Sequence, residues 1–353
     1  MDRTFWRGRR VLLTGHTGFK GSWLALWLAE LGARVTGFAL PPEGRNLFEE
    51  AQVARGIASI EGDLRDPAAL GRAVGESDPE IVFHLAAQSL VHAGYRDPIA
   101  TYSTNVLGTA HLLEALRGRP ALRAVVSVTS DKCYRNNEWE WGYRENDPLG
   151  GRDPYSSSKA CAELVTAAYR HAYFAEPGAA GVASARSGNV IGGGDWAADR
   201  LVPDLVRGFN DDRAVTIRRP DATRPWQHVL EPLRGYLHLA ERLCDEPQNF
   251  AGAWNFGPVD NDNRTVRWVA DRMVELWGDG ARWQTDSAVH PPEATFLHLD
   301  CSKARWRLGW EPALPLDEAL EWLVAWYRAD SGKTRELTLA QIAQYEARAG
   351  GRD

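Results

Sequence analysis

A tyrosine and a lysine four residues apart, in Tyr155-Ser156-Ser157-Ser158-Lys159, follow a second reactive run, Ser130-Asp131-Lys132. On a helix, positions four apart share a face, one turn apart. Lys159 can then lower the pKa of the Tyr155 phenol and make it a base for a hydroxyl proton. Ser130 ends an apolar run, Val125 to Val128, that reads as a strand, and an acid and a second base follow it directly. Hydride transfer needs only the Tyr/Lys pair. Elimination of water needs one group to take a carbon-bound proton and another to protonate the departing hydroxyl. The sequence carries both sets. A charged pair at the end of a buried strand is costly unless it has a purpose.

These groups must be held by an alternating framework. Apolar runs at Val11 to Thr14, Val35 to Phe38, Ile57 to Ile60, Ile81 to Leu85, Val125 to Val128 and Val182 to Ala185 are each spaced by a helix-like stretch. That alternation predicts an α/β fold: a doubly wound parallel Rossmann sheet with helices on both faces. The pattern Trp23-Leu24-Trp27-Leu28-Leu31, stopped by Gly32, marks the first helix. Beyond Ser187 the chain is loop-rich and basic, then helical again from Val229 to Leu243. The predicted division is a sheet domain over 1–187, rejoined by about 228–255. A smaller substrate-binding lobe takes 188–227 and 256–353. Leu339, Ile342 and Ala343 form the stripe of a final helix packed on the body.

Thr14-Gly15-His16-Thr17-Gly18-Phe19-Lys20-Gly21 joins the first strand to the first helix. Glycines there let backbone approach a pyrophosphate seated at the helix N-terminus. His16 and Lys20 either touch phosphates or are solvated. The second strand ends Phe38-Ala39-Leu40 without the acid that usually holds the adenosine ribose, and Glu43 and Arg45 are both near. NAD and NADP are not separated by this site. Asp63 can accept from an adenine amino group while Leu64 covers the ring; alternatively, Asp63 caps the helix starting near Pro67. His84-Leu85-Ala86-Ala87-Gln88 ends the fourth strand with small residues, against which a dinucleotide can lie. Asn105 either braces the sheet or is a buried amide with local partners.

The order of these motifs resembles the extended short-chain dehydrogenase/reductase family, and within it the 4,6-dehydratases acting on CDP-glucose. The resemblance rests on Gly15-His16-Thr17-Gly18-Phe19-Lys20-Gly21-Ser22-Trp23, Ser130-Asp131-Lys132-Cys133-Tyr134 and Glu138-Trp139-Glu140-Trp141-Gly142-Tyr143. It also includes Gly192-Gly193-Gly194-Asp195-Trp196, Arg224-Pro225-Trp226-Gln227-His228-Val229 and Thr338-Leu339-Ala340-Gln341-Ile342, so it spans nearly the whole chain. It implies an NAD cofactor and a nucleotide-sugar substrate, CDP-glucose, converted to CDP-4-keto-6-deoxyglucose for deoxysugar and lipopolysaccharide O-antigen synthesis. By resemblance Tyr155, helped by Ser130, takes the C4 hydroxyl proton, and Lys159 reaches the nicotinamide ribose. Lys132 stands where dTDP-glucose dehydratases carry a Glu, and inherits removal of the C5 proton; Asp131 protonates the C6 hydroxyl. Asn189 and Arg224 match residues that grip the substrate diphosphate. Arg200, Leu201 and Val202 match the segment that approaches the nucleotide. Gln88, Arg186, Arg218, Trp226 and Glu293 complete the substrate candidates. Members of the family usually dimerise through helices corresponding to 99–116 and 155–174, with Tyr169 and Tyr173 on that face. A C4-epimerase on the same fold is the nearest alternative, and Asp131 and Lys132 argue against it. A cofactor-binding regulator without turnover is more remote, because Tyr155 and Lys159 are retained.

Bulk properties agree. The chain has 353 residues, 44% of them hydrophobic, enough for two lobes. Its net charge of −6, with both signs interspersed, disfavours a nucleic-acid partner. Four cysteines, Cys133, Cys161, Cys244 and Cys301, lie at no metal-ligand spacing, so no metal is expected. No apolar stretch approaches the about 20 residues of a membrane span, and the first apolar run is too short for a signal peptide. The expectation is a cytoplasmic protein with reduced thiols. Of the fifteen tryptophans, Trp139, Trp141, Trp196 and Trp226 sit in loop-like surroundings, where a ring either stacks on a base or sugar or anchors its loop.

Overall fold

The computed structural model describes residues 2–259, 262–286 and 295–350. Seven strands form one parallel sheet: β1 (Arg10–Thr14), β2 (Arg34–Ala39), β3 (Ala58–Glu61), β4 (Ile81–His84), β5 (Ala124–Val128), β6 (Gly181–Arg186) and β7 (Gly252–Asn255). Their order is β7-β6-β5-β4-β1-β2-β3. β4, β5 and β6 are buried along their whole length, as strands covered on both faces must be. β1 pairs with β2 on one side, Val11 opposite Val35, and with β4 on the other, Val11 opposite Ile81. The chain therefore reverses direction across the sheet at β1. That switch point opens a crevice beyond the carboxyl ends of the strands.

Polar residues concentrate at those ends. Thr14, His84, Ser130 and Arg186 are all buried there. The His84 ring meets the Thr14 hydroxyl (2.8 Å) and the Thr109 hydroxyl (3.0 Å), which ties β1 and β4 to the next helix. Burial drives the His84 pKa down to about 3, so the ring is neutral.

Helix α1 (Phe19–Glu30) is buried from Gly21 to Leu28. Helix α2 (Pro154–Tyr173) opens with Asp153 as N-cap, accepting the Ser156 N–H at 2.9 Å, and with Pro154 in its first turn. Helix α3 (Leu230–Asp245) is almost wholly buried. Helices α4 (Leu316–Arg328) and α5 (Thr334–Ala349) end the described chain.

Helix α5 packs on α4, with Trp326 donating to Thr338 at 3.1 Å and Gln341 to the Trp322 carbonyl at 2.9 Å, and it also reaches back to the first half of the chain. Trp27 of α1 donates to Glu346 at 2.8 Å and packs edge-on against Tyr345. The Tyr345 hydroxyl in turn donates to Glu231 of α3 at 2.6 Å. Two large rings on α1, Trp23 and Trp27, are fully buried only because later chain returns to cover them. The far wall of the crevice comes from smaller pieces. Val190–Ile191 pairs with Gln227–His228, Thr223–Pro225 with Asn263–Thr265, and Val215–Ile217 with Trp283–Thr285. Helix Leu201–Asn210 stands beside them.

Candidate active site

Between the sheet and these pieces lies a cleft of about 550 Å³. Ser130, Asp131, Lys132, Tyr155 and Lys159 all line it. Ser130 ends the β5 segment and caps the short helical turn Asp131–Cys133, accepting the Lys132 N–H at 3.2 Å. Its hydroxyl donates to Asp131 Oδ1 at 3.0 Å. Asp131 is 1% exposed, and its Oδ2 has no hydrogen-bond partner. A Cβ on Gly188 would stand 1.9 Å from that oxygen. Gly188 is therefore the floor on which the carboxylate rests, a role without a signal in the sequence beyond its place between Ser187 and Asn189.

Spacing alone lets Lys159 lower the Tyr155 pKa, but in this cleft burial dominates. It pushes the phenol up to about 12, with hydrogen bonding from Ser130 opposing it. Lys159 donates to the Val128 carbonyl at 3.4 Å. Burial lowers its pKa to about 8, and the Glu163 charge raises it back in part. Glu163, one turn further along α2, is itself held by Arg186 (2.8 Å) and Ser184 (2.6 Å). Arg186 is consequently a buried structural partner behind the strands, with Tyr134 at 2.7 Å, and does not line the cleft.

The glycine turn fits a dinucleotide. A Cβ on Gly15 would meet the Ala86 nitrogen at 2.6 Å, and one on Gly21 the Gly15 carbonyl at 2.0 Å. Gly18 caps α1 with no side chain, so the first N–H groups face the cleft for an anion. Gly15, Thr17, Gly18, Phe19, Lys20, Gly21, Asp63, Leu64, Leu85, Ala86 and Ala87 all line this end. Asp63 is not a helix cap, because Asp66 fills that place. Instead it binds Arg65, whose hydrogen bonds hold the carboxyl below its usual range. Lys20 is half-buried on the cleft wall rather than freely solvated. It donates to Ser187 (3.0 Å) and Tyr236 (2.9 Å), and burial beside Lys159 and Arg200 lowers its pKa to about 7.

Three further candidates, His16, Asn105 and Gln88, also lie off the cleft wall. The His16 ring is fully buried beside Gly37, with Nε2 at 2.7 Å from Ser59, and desolvation takes its pKa to about 4. Asn105 sits on a π-helical turn, Ser103–Leu107, inside the helical run 98–116. It accepts the Gln88 N–H (2.8 Å) and donates to the Gln88 carbonyl and Ser158. The Gln88 amide is spent on Thr101 and on the Leu90 N–H. These residues shape the loop after β4 from behind, since a polar side chain near a buried strand end must find local partners.

On the substrate side Asn189, Arg200, Leu201, Val202, Arg218, Arg224 and Trp226 line the cleft, while Glu293 lies outside the described residues. Asn189 has φ of 45°. Arg200 pairs with Asp195 (2.8 Å) and reaches Ser89 (3.1 Å). Arg218 meets the His92 ring at 2.6 Å. Arg224 is buried and donates to the Thr223 carbonyl at 2.9 Å. Ser89, His92 and Asp195 also line the wall, and only Asp195 carried a signal, through its glycine-rich motif.

A sequence profile for GDP-mannose 4,6 dehydratase matches residues 12–323. CDP-glucose 4,6-dehydratase of Salmonella typhimurium is 54% identical over 334 residues, covering 93% of each chain. Among solved structures, dTDP-glucose 4,6-dehydratase from Bacillus anthracis in complex with NAD superposes with a TM-score of 0.76 at 22% identity, over 94% of this chain and all of that one. UDP-glucose 4-epimerase from Thermotoga maritima with UDP-glucose gives 0.77 at 22% identity, over 90% and 98%. At such identities these two speak for the fold. Motif order, Rossmann topology and cleft geometry converge with the profile: the chain belongs to the GDP-mannose 4,6-dehydratase family, within the extended short-chain dehydrogenases/reductases.

Proposed function

We propose that this protein is an NAD-dependent CDP-glucose 4,6-dehydratase, a hydro-lyase that forms CDP-4-keto-6-deoxyglucose. The observation that carries the proposal is Asp131 and Lys132 on the same cleft wall as Tyr155 and Lys159. A C4-epimerase needs only the second pair. The named substrate follows the 54% identity to the Salmonella enzyme. NAD, held by the glycine turn Gly15 to Gly21 and by Lys159, would supply the hydride acceptor for C4 and the hydride donor for C6. Tyr155, with Ser130, accepts the C4 hydroxyl proton; Lys132 removes the C5 proton that the new ketone acidifies; Asp131 protonates the leaving C6 hydroxyl. Arg224 and Asn189 hold the diphosphate. NAD is favoured over NADP because no basic side chain lines the stretch 39–64, and Arg45 is spent on Glu50 and the Trp196 ring.

The cleft joins a sheet domain of 1–187 and about 228–255 to a lobe from 188–227 and part of 256–353. A homodimer through 99–116 and 155–174 is supported by exposed Ile99, Leu107, Leu164 and Tyr173. We place the enzyme in the cytoplasm, in deoxysugar supply for O-antigen. The test is incubation with NAD and a panel of nucleotide-glucoses, read by mass spectrometry for loss of water. Dehydration of CDP-glucose, with deuterium at C4 recovered at C6 of the same molecule, is the expected result. Net NADH in proportion to product, or C4 epimerisation without water loss, refutes it.

A further inference from the structure

The motif Glu138-Trp139-Glu140-Trp141-Gly142-Tyr143 takes no part in the chemistry above, yet its loop is closely built. Tyr143 stacks between Trp139 (5.4 Å) and Tyr134 (5.1 Å). The Tyr143 hydroxyl accepts the Asn137 N–H at 2.6 Å and donates to Asn136 Oδ1 at 3.1 Å. Backbone bonds join Tyr143 to His298 and Asp300, each at 2.9 Å. A Cβ on Gly142 would meet the Asp300 nitrogen at 2.7 Å, so the two segments are in direct contact. The loop is thus zipped onto chain that leads to the substrate wall.

Its leading residue is under strain. Glu138 has φ of 54°, a region that non-glycine residues enter at a cost. The strain aims its carboxylate: Oε1 accepts the Thr295 N–H at 2.9 Å. The Thr295 carbonyl accepts from the Thr223 N–H at 2.9 Å and from Arg224 Nη1 at 3.3 Å. Thr295 is therefore gripped by Glu138 at one end and by the Arg224 segment at the other. A long arginine loses much rotamer freedom when fixed, and fixed carbonyl acceptors reduce what a ligand must order on binding.

We propose that Glu138 is a positioning residue for Arg224. Through Thr295 it sets where the guanidinium stands in the cleft, and so it tunes affinity for the nucleotide-sugar diphosphate. The proposal rests on the assignment of Arg224 to that diphosphate. A charged acceptor makes the stronger kind of hydrogen bond, so its loss is legible in binding.

The informative variant is Glu138→Gly, which suits the left-handed backbone and removes only the acceptor. Its thermal midpoint should be no lower than wild type, while KM for CDP-glucose rises about tenfold. The rise should fall on KM and hardly on kcat. Glu138→Gln keeps a carbonyl oxygen at the same reach and should restore most of the affinity. Repeating Glu138→Gly in an Arg224→Ala background should add less than twofold, because the two act in one chain. An equal tenfold rise in both backgrounds, or an unchanged KM in the single variant, overturns the proposal. Unchanged CDP affinity in Arg224→Ala alone overturns the assignment of Arg224, and this proposal with it.

Discussion

Gly188→Ala perturbs the proposed acid without replacing any reacting group. Gly188 does not have positive φ, so alanine suits its backbone. The new Cβ would stand 1.9 Å from Asp131 Oδ2 and 2.1 Å from Cγ. Ordinary contact begins near 3.4 Å, so the carboxylate must retreat by about 1.5 Å. Asp131 is 1% exposed, and the Ser130 hydrogen bond holds its other oxygen. It cannot swing into solvent cheaply. Overpacking of this kind costs about 1–3 kcal/mol of stability, well inside a normal margin of about 5–15 kcal/mol. Misplacing a reacting group by about 1 Å can cost about 10²-fold in rate. The dehydration step should therefore slow by about 10²-fold while C4 oxidation survives. The assay is a single turnover at saturating CDP-glucose, following NADH absorbance and loss of water together. Bound NADH should appear at a near-normal rate and persist. Asp131→Ala with Gly188→Ala should be no slower than Asp131→Ala alone, because the clash is then gone. A folded Gly188→Ala enzyme that dehydrates within threefold of wild type would refute the reasoning.

Tyr155→Phe should lower kcat by about 10²–10⁴-fold with little change in CDP-sugar binding; near-normal turnover removes Tyr155 from the mechanism. Lys132→Met should oxidise C4, stall before water loss, and slow solvent exchange at C5, measured by deuterium uptake into recovered substrate. Wild-type dehydration of whatever it binds would make Lys132 a binding residue only. His84, depressed to about 3 by burial, must stay neutral in the folded state. Its contribution is complete above an unfolded pKa of about 6.5 and is lost as pH falls toward 3. The thermal midpoint should drop along that acid limb, and His84→Gln should flatten it; an unchanged slope in the variant counts against the assignment.

What the sequence made legible was what local pattern determines. The strands from β1 to β6 follow from apolar runs, and their observed bounds differ from those runs by a residue or two. The glycine turn is legible because close backbone approach admits only one residue type. That Ser130, Asp131, Lys132, Tyr155 and Lys159 line one cleft is legible because strand end and helical spacing fix their direction. Arg186 failed for a different reason. One strand position decides whether an arginine faces the cleft or the covering helix, and only the fold shows that Glu163 waits on the second side. Asn105 and Gln88 satisfy each other across a widened helical turn that no periodicity announces. β7 reads Gly-Ala-Trp-Asn, with only Trp254 and Asn255 buried, so it presents no apolar run to announce a strand.

Charge explains why these pieces form one site. The cleft wall carries Lys20, Lys132, Lys159, Arg200, Arg218, Arg219 and Arg224. Most of its acids are already occupied: Asp63 with Arg65, Asp195 with Arg200 and Asp204 with Arg207. Cationic charge is therefore in excess along one long crevice. Burial and mutual repulsion take Lys20 down to about 7, and burial takes Lys159 to about 8. A fold gains nothing from lysines held this way unless an anion is to join them. A dinucleotide and a nucleotide-sugar bring two diphosphates, one to each end of the crevice. Such anions favour the charged lysines and offer charge-assisted acceptors to the arginines of the wall. Asp131 is held differently from those three acids, since Ser130 holds its Oδ1 while its Oδ2 is unpartnered and propped by Gly188.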